Sequence, residues 1–407
     1  MHFRHILSAL RRHRIAASLL VLEIAFTCAV VCNALFIIGH RLERMQRPTG
    51  VDEAHLVEVG VRSVAPGSAE ALMAQTRTDL AALRAVPGVA NAAIVNQTLF
   101  GHSISFSGVS LSDDSKAPSI PVTQYMGNAP LAATLGLKLS AGRWFKPDEF
   151  VSQSQLDGGA GGIPVIISRA LAEHFFPGQS AVGKTLHAFG ANQVVGVVQR
   201  LVQPRDYGAA GHYDYAMMFP VNESYPHGTY LLRVKDSAQR QAVIQGALHA
   251  LKVDGPLRLI SPKDVTTLQA ARARYYRNDR AMAWLLAGVC LLLLLVTTVG
   301  IVGLTSFWVA QRRRQIGIRR AIGATRSDIL RYFQVENFLL ATAGIVLGMV
   351  LAYGINLVLM AHYELPRLPV IYLPVGALAL WIIGQLAVLG PALRAAAVPP
   401  VVATRSV

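Results

Sequence analysis

The sequence predicts an α-helical membrane protein with four transmembrane helices and a large α+β extracytoplasmic domain of two lobes inserted between helices 1 and 2. Three observations carry that prediction. Four separate apolar windows are long enough to cross a bilayer, residues 40–280 between the first two have ordinary globular composition, and arginines cluster at the window ends that share one side. With 53% apolar and 15% charged residues, the chain is too apolar for disorder. Three cysteines in 407 residues exclude a disulfide-stapled secreted module.

Residues 1–14 place Phe3, Ile6, Leu7 and Leu10 at i, i+3, i+4 and i+7 among Arg and His, the pattern of a cytoplasmic amphipathic helix lying on the inner leaflet. A basic leader that only sets topology explains the same charges. Residues 15–39 form the first transmembrane helix, too long for a signal-peptide core and without a clear cleavage site, so it is expected to be retained. Residues 40–280 form the outer domain. The further helices are expected at 281–310, 335–361 and 368–390, with a cytoplasmic segment at 311–334, a short outer loop at 362–367 and a cytoplasmic tail at 391–407.

Cytoplasmic ends hold the excess of Lys and Arg, and this fixes the expected orientation. Arg4, Arg11, Arg12 and Arg14 precede the first span; Arg312, Arg313, Arg314, Arg319, Arg320, Arg326 and Arg331 lie between the second and third; Arg394 and Arg405 follow the last. The 362–367 loop has only Arg367, balanced by Glu364. Both termini and the Arg-rich segment are therefore expected inside and the large domain outside. Arg41, Arg44 and Arg47 oppose this weakly, but a long following domain crosses regardless of charge. Most of the net charge of +15 thus sets topology, which removes the case for nucleic-acid binding.

Within the outer domain, Ala69–Ala85 has helical periodicity and stops at Pro87-Gly88. Ile163–Ile167 and Gln193–Val198 read as strands, and Ser168 as the cap of a short helix reaching Phe176. Gln153–Gly162, QSQLDGGAGG, reads as a flexible surface insertion. From about Ser261 the pattern is helical and polar up to Arg280 and meets no breaker before the second span, so a continuous helical stalk is expected.

Gly178–Thr185, GQSAVGKT, matches the letters of a phosphate-binding loop. Such a loop needs a strand before it and a helix opening at its Lys-Thr. Here the order is inverted, so an ATP-hydrolysing role for Lys184 is disfavoured. Glu23 lies inside the first span, where an acid is costly, and a structural pairing with a neighbouring helix is preferred over a transport role. Glu336 is expected beside Arg331 or Arg320 at the interface. Gly344 and Gly348 form a G-x-x-x-G helix-packing motif. Cys28 and Cys32 share a helix face and read as inert small residues. The twelve histidines form no metal motif, so neither a metal site nor a catalytic constellation is expected. In the Arg-rich segment, Gly317 and Gly323 punctuate a short cationic helix whose Ile316, Ile318 and Ile322 offer an apolar edge, an arrangement that topology alone leaves unexplained.

The stretch RRRQIGIRRAIGATRSDILRYFQVENFLLATAGIVLGMVLAYGIN, Arg312–Asn356, resembles the signature of the MacB/FtsX family of ABC transporter permeases. GLKLSAGRWF at Gly136–Phe145, VIISRALAEHFFPGQSAVGKTL at Val165–Leu186, QVVGVV and the closing PALRAAAVPPVVATR resemble the same family in order. One departure is Gln315, where the family commonly has Glu. The resemblance implies a coupling helix seated in a groove of a cytoplasmic ABC ATPase dimer, involving Arg314, Ile316, Gly317, Arg319, Arg320, Gly323, Ala324 and Thr325. It also implies a second permease subunit, identical or related, and a periplasmic adaptor with an outer-membrane channel. No cofactor is expected on this chain, since ATP-Mg would act on the partner. The expected function is mechanotransmission from that ATPase in export of a peptide, drug or lipophilic substrate. An FtsX-like scaffold that activates cell-wall hydrolases is the alternative.

Overall fold

The computed structural model describes residues 14–397 apart from 65–66, 102–103, 115, 159–160, 207–211, 223–226, 254–257 and 364–367. The expected leader helix over 1–13, most of the 362–367 loop and the end of the tail lie outside the described residues. The chain divides into two compact units, one comprising Met1–Gln46 with Asn278–Val407 and the other Arg47–Arg277. The first unit opens with helix α1 (Arg14–Gln46), which continues past the apolar stretch through HRLERMQ.

The second unit runs β1 (Leu56–Ser63), α2 (Ala69–Ala85), β2 (Val89–Val95), β3 (Phe106–Val109), β4 (Ile120–Gly127), α3 (Leu131–Leu135), β5 (Leu139–Gly142), β6 (Val151–Ser152), α4 (Gln153–Asp157) and β7 (Ile163–Ser168). It continues with α5 (Arg169–Phe175), β8 (Thr185–His187), β9 (Ala191–Val198), β10 (Ala216–Asn222), β11 (His227–Val234), α6 (Arg240–Val253), β12 (Arg258–Leu259), β13 (Val265–Thr267) and α7 (Leu268–Tyr275). Helix α2 has the expected bounds because both ends carry their signals: the Ser68 hydroxyl accepts the Ala71 N–H at 3.2 Å, and Gly88 takes φ +90° beyond Pro87. The Gln153–Gly162 insertion is helical at its start, because Ser152 and Gln155 form a reciprocal capping box there.

The described strands form one 13-stranded mixed sheet in the order β12-β1-β11-β2-β4-β10-β7-β9-β5, with β13 on β1, β3 on β4, β6 on β10 and β8 on β9. Among the described residues, two of the apolar clusters packed on it matter here. One gathers Val57, Val59 and Val61 of β1 with Leu80 and Leu83 of α2 and Val243 and Ile244 of α6. The other gathers Val165 and Ile167 of β7, Leu171 of α5, Val194 of β9 and Phe219 of β10. The sheet bridges them where Val95 of β2 pairs with Gly127 of β4. Under the first core, Arg258 pairs with Asp79, whose carboxylate also accepts the Tyr230 hydroxyl at 2.8 Å, so this buried acid is paired and hydrogen-bonded.

The expected stalk from Ser261 is broken. Pro262–Asp264 is a 3-10 turn, Val265–Thr267 joins the sheet as β13, and α7 starts only at Leu268, capped by Thr267. Helical spacing in this stretch coincides with the alternation of a short strand, and pairing with β1 decides in favour of the strand. A turn at Tyr276 then separates α7 from α8 (Arg277–Gln311). The first unit closes with α9 (Arg313–Ala321), α10 (Arg326–Tyr363) and α11 (Tyr372–Ala396). Helices α1, α8, α10 and α11 are long and apolar enough to cross a membrane. Helix α10 begins well before the apolar window expected at 335, and α11 runs through Pro391 to Ala396.

Helix α1 is the hub of this unit. A Cβ at Gly348 of α10 would lie 2.5 Å from the Cys28 Cβ and 2.6 Å from the Ala25 carbonyl; one at Gly344 would lie 2.8 Å from the Ile24 Cβ. The G-x-x-x-G motif therefore seats α10 on α1 of the same chain. Gly376 of α11 makes room for the Cys32 sulfur in the same way. The Asn33 amide donates to the Ala352 carbonyl at 3.0 Å, and the Asn337 amide to the Gly384 carbonyl at 3.0 Å. Cys28, Cys32 and Cys290 are free and buried.

Candidate coupling site

The Arg-rich segment is a short helix held between two long ones, and local chemistry sets both of its boundaries. Helix α8 stops at Arg312, which adopts a turn conformation before α9. At the far end, Gly323 takes φ +106°, its N–H donates to the Arg320 carbonyl at 3.2 Å, and the Ala324 N–H donates to the Arg319 carbonyl at 3.0 Å. This is a Schellman closure, in which glycine accepts the left-handed backbone that other residues resist. Thr325 then starts α10. Its hydroxyl donates to the Asp328 carboxylate at 2.6 Å, its N–H donates to the same carboxylate at 3.0 Å, and the Asp328 N–H donates to the Thr325 oxygen at 3.2 Å. The sequence T-x-x-D before an apolar run carried this signal, and it explains the early start of α10.

Three anchors tie the segment to the helices. Arg312 donates to both Glu336 oxygens, at 3.1 and 3.0 Å, and to the Tyr332 hydroxyl at 3.3 Å. Glu336 is buried on α10 and pairs with Arg312. The second anchor is Ile316, buried in one cluster with Ile329 and Phe333. In the third, Arg320 donates to the Ala396 carbonyl at 3.2 Å, satisfying an orphan acceptor at the end of α11. The Arg319 guanidinium also lies 5.2 Å from the centre of the Tyr332 ring.

The eight residues expected at this site therefore divide. Ile316 and Gly317 are buried, Arg320 and Ala324 are half-buried, and Arg314, Arg319, Gly323 and Thr325 are exposed. Outward with them lie Arg313, Gln315, Ile318 and Ile322. Ile318 is 44% exposed and Ile322 81%. The apolar edge read from the sequence is thus split: Ile316 faces the bundle, and Ile318 and Ile322 face away from it. Arg312, Tyr332, Glu336 and the Ala396 carbonyl were not singled out as parts of the site, because their convergence is tertiary.

Two other sequence features are placed by the fold. Gly178–Thr185 follows α5 and leads into strand β8 and not into a helix, the reverse of a phosphate-binding loop. Its Gly183 N–H donates to the Val194 carbonyl at 2.7 Å, which makes the turn a corner of the sheet. Glu23 reaches α8 at Gly300, where a Cβ would lie 2.7 Å from a carboxylate oxygen.

The FtsX-like permease C-terminal family matches residues 287–400, and the MacB-like periplasmic core domain family matches residues 24–249. Together they define an inner-membrane protein of the transporter-permease class with a domain of the periplasmic type. The chain belongs to the MacB/FtsX family of ABC transporter permeases. It is 28% identical over 232 residues to a macrolide export ATP-binding/permease protein MacB of Chromobacterium violaceum, a match covering 55% of this chain and 33% of that protein. It is 27% identical over 252 residues to the uncharacterized ABC transporter permease YvrN of Bacillus subtilis, covering 59% of this chain and 61% of the relative. The chain thus spans about a third of the MacB relatives it matches. Among solved structures, the periplasmic region of MacB from Actinobacillus actinomycetemcomitans aligns at TM-score 0.33 and 13% identity, covering 58% of this chain and 97% of that one.

Proposed function

We propose that this chain is the permease subunit of an ABC transporter and that it relays ATP-driven motion of a separate cytoplasmic ATPase dimer to its outer domain, in export of a peptide, drug or lipophilic substrate. The observation that carries this reading is the two-faced segment Arg313–Ala324. Its inner face is fixed to α10 and α11, and its outer face presents Ile318 and Ile322 among Arg313 and Arg314. An apolar pair within a cationic rim suits a groove on a partner, and a helix braced at both ends transmits a push.

In this scheme both termini and the segment are cytoplasmic, following the arginine distribution, and the domain of Arg47–Arg277 is periplasmic. A second permease subunit, identical or related, completes the transporter, with a periplasmic adaptor and an outer-membrane channel downstream. ATP-Mg is bound and hydrolysed on the partner, and this chain performs no chemistry.

The test is the pair Ile318→Glu and Ile322→Glu, made together. Burying an isoleucine is worth about 1.5–3 kcal/mol, so the pair is expected to cut co-purification of the ATPase by at least about tenfold with the chain still inserted. Undiminished co-purification refutes the coupling role. Recovery of an adaptor and channel with the wild-type complex supports export, whereas recovery of a wall hydrolase supports the FtsX-like scaffold.

A further inference from the structure

The face of the sheet opposite the first core carries a cavity of about 720 Å³ inside the unit Arg47–Arg277. Strand alternation builds it. Val57, Val59 and Val61 of β1 point to the core under α2 and α6, so Glu58 and Gly60 point to the other side. Glu58 pairs in register with Thr266 of β13 and Leu231 of β11, and it is only 6% exposed. A Cβ at Gly60 would lie 2.7 Å from the Asp264 Cβ, so a glycine here lets the Pro262–Asp264 turn close over the strand. The cavity is completed by Phe100 and Gly101, by Arg205, and by Arg274 and Tyr275 of α7.

Glu58 is the feature that needs explaining. Thr98 hydrogen-bonds its carboxyl group, yet Oε1 has no partner among the described residues, and no cation forms an ion pair with it there. Burial pushes its pKa up to about 8, against the opposing pull of Thr98 and Arg274. At neutral pH it is therefore protonated and holds an O–H donor at the cavity floor. The other charged groups lining the cavity are Arg62 from its own strand, Arg205, Lys263, Asp264 and Arg274, with the Tyr275 hydroxyl; Tyr125 of β4 interacts electrostatically with Glu58. Among the described residues, four cations against Asp264 give the cavity a positive field. Arg205 lies 5.9 Å from the centre of the Tyr275 ring, and the exposed Arg274 donates to the Lys263 carbonyl at 3.2 Å, so both rim cations have a fixed partner.

We propose that this cavity is a binding site for a small organic oxyanion, a phosphate or carboxylate on a compact body, which accepts a hydrogen bond from Glu58 and is held at the rim by Arg205, Lys263 and Arg274. A buried acid left half-satisfied is costly to retain in a sheet, and an incoming anionic oxygen supplies the missing acceptor. The site lies wholly within the outer unit and is independent of the coupling role. A free metabolite and an anionic lipid headgroup present the same chemistry to it.

The test uses the full chain in detergent, titrated calorimetrically with phenyl phosphate at pH 7 and pH 9. Binding that needs the Glu58 proton weakens as that proton is lost, so affinity is expected to fall about tenfold between these pH values. Glu58→Gln keeps a donor that does not titrate, and its affinity should change less than about twofold over the same range. Arg274→Ala, at an exposed position, should weaken binding about tenfold at pH 7 with the fold unchanged by circular dichroism, so the proposal does not depend on one variant folding. Repeating the titration in nanodiscs separates the sources: phosphatidylglycerol lowering the affinity for phenyl phosphate relative to phosphatidylcholine marks the headgroup as occupant, and equal affinity marks a free anion. No binding at 10 mM phenyl phosphate, about the weak end of ligand affinities, or wild-type binding with no change between pH 7 and pH 9, overturns the proposal.

Discussion

Helices α1 and α8 are both apolar enough to span a membrane, yet they are built into the fold in opposite ways. Helix α1 is pressed by Gly344, Gly348 and Gly376 from two neighbours, and residues all around its middle are buried. Helix α8 buries a single stripe, Ala283, Cys290, Thr297, Ile301, Thr305 and Trp308, and leaves Trp284, Leu285, Leu291, Leu292 and Leu295 bare. It meets α1 through a small apolar cluster, Val31 and Ala34 with Cys290, and at three polar points. The Thr27 and Thr297 hydroxyls lie 2.8 Å apart, Glu23 abuts Gly300, and Arg41 pairs with Asp279 at the outer end. Hydropathy detects both helices but does not distinguish them. Glycine is not by itself the mark of a seam: Gly344 and Gly348 are pressed on α1, whereas Gly288 and Gly303 of α8 meet nothing within 4 Å, on faces left for lipid or, in the proposed assembly, for the second permease subunit.

Breaking the fastening of α8 at its inner end should have the largest effect. Arg312→Ala removes the guanidinium that donates to both oxygens of the buried Glu336, and loss of one partner of a buried pair costs about 3–5 kcal/mol. Thermal unfolding in detergent should show a marked loss of stability, and the double variant Arg312→Ala with Glu336→Gln should recover part of it. An unchanged transition for the single variant would show that the pair does not fasten the helix.

The difference between the two seams is sharpened by adding the same side chain to each. Gly348→Leu drives a side chain into Cys28 and Ala25, and overpacking of this kind costs about 1–3 kcal/mol. Gly288→Leu on α8 meets nothing within 4 Å and should be neutral to within about 0.5 kcal/mol. Equal loss in both variants would erase the distinction between a packed and an open helix.

The four long apolar helices, α2 and the strands at β7 and β9 were legible because each is set by signals a few residues apart. The single sheet was not, since β1 at Leu56–Ser63 pairs with β11 at His227–Val234 and nothing local announces that partner. The same holds for the coupling site. Its arginines and glycines stand out in sequence, and the Thr325–Asp328 cap was readable, but which isoleucine faces inward depends on Ile329 and Phe333 being packed against it. Glu58 carried a signal that periodicity alone overlooks, an acid in the middle of the apolar run LVEVGV. Its position on the face away from the helices turns that oddity into a cavity floor.

The central claim is that the outward face of Arg313–Ala324 meets the ATPase. Single cysteines at Ile322 and at Val370, both highly exposed but separated by the length of α10, test it with a short bifunctional maleimide in the assembled complex. The account predicts a cross-link to the ATPase from Ile322→Cys and none from Val370→Cys. A cross-link from Val370→Cys with none from Ile322→Cys would contradict it.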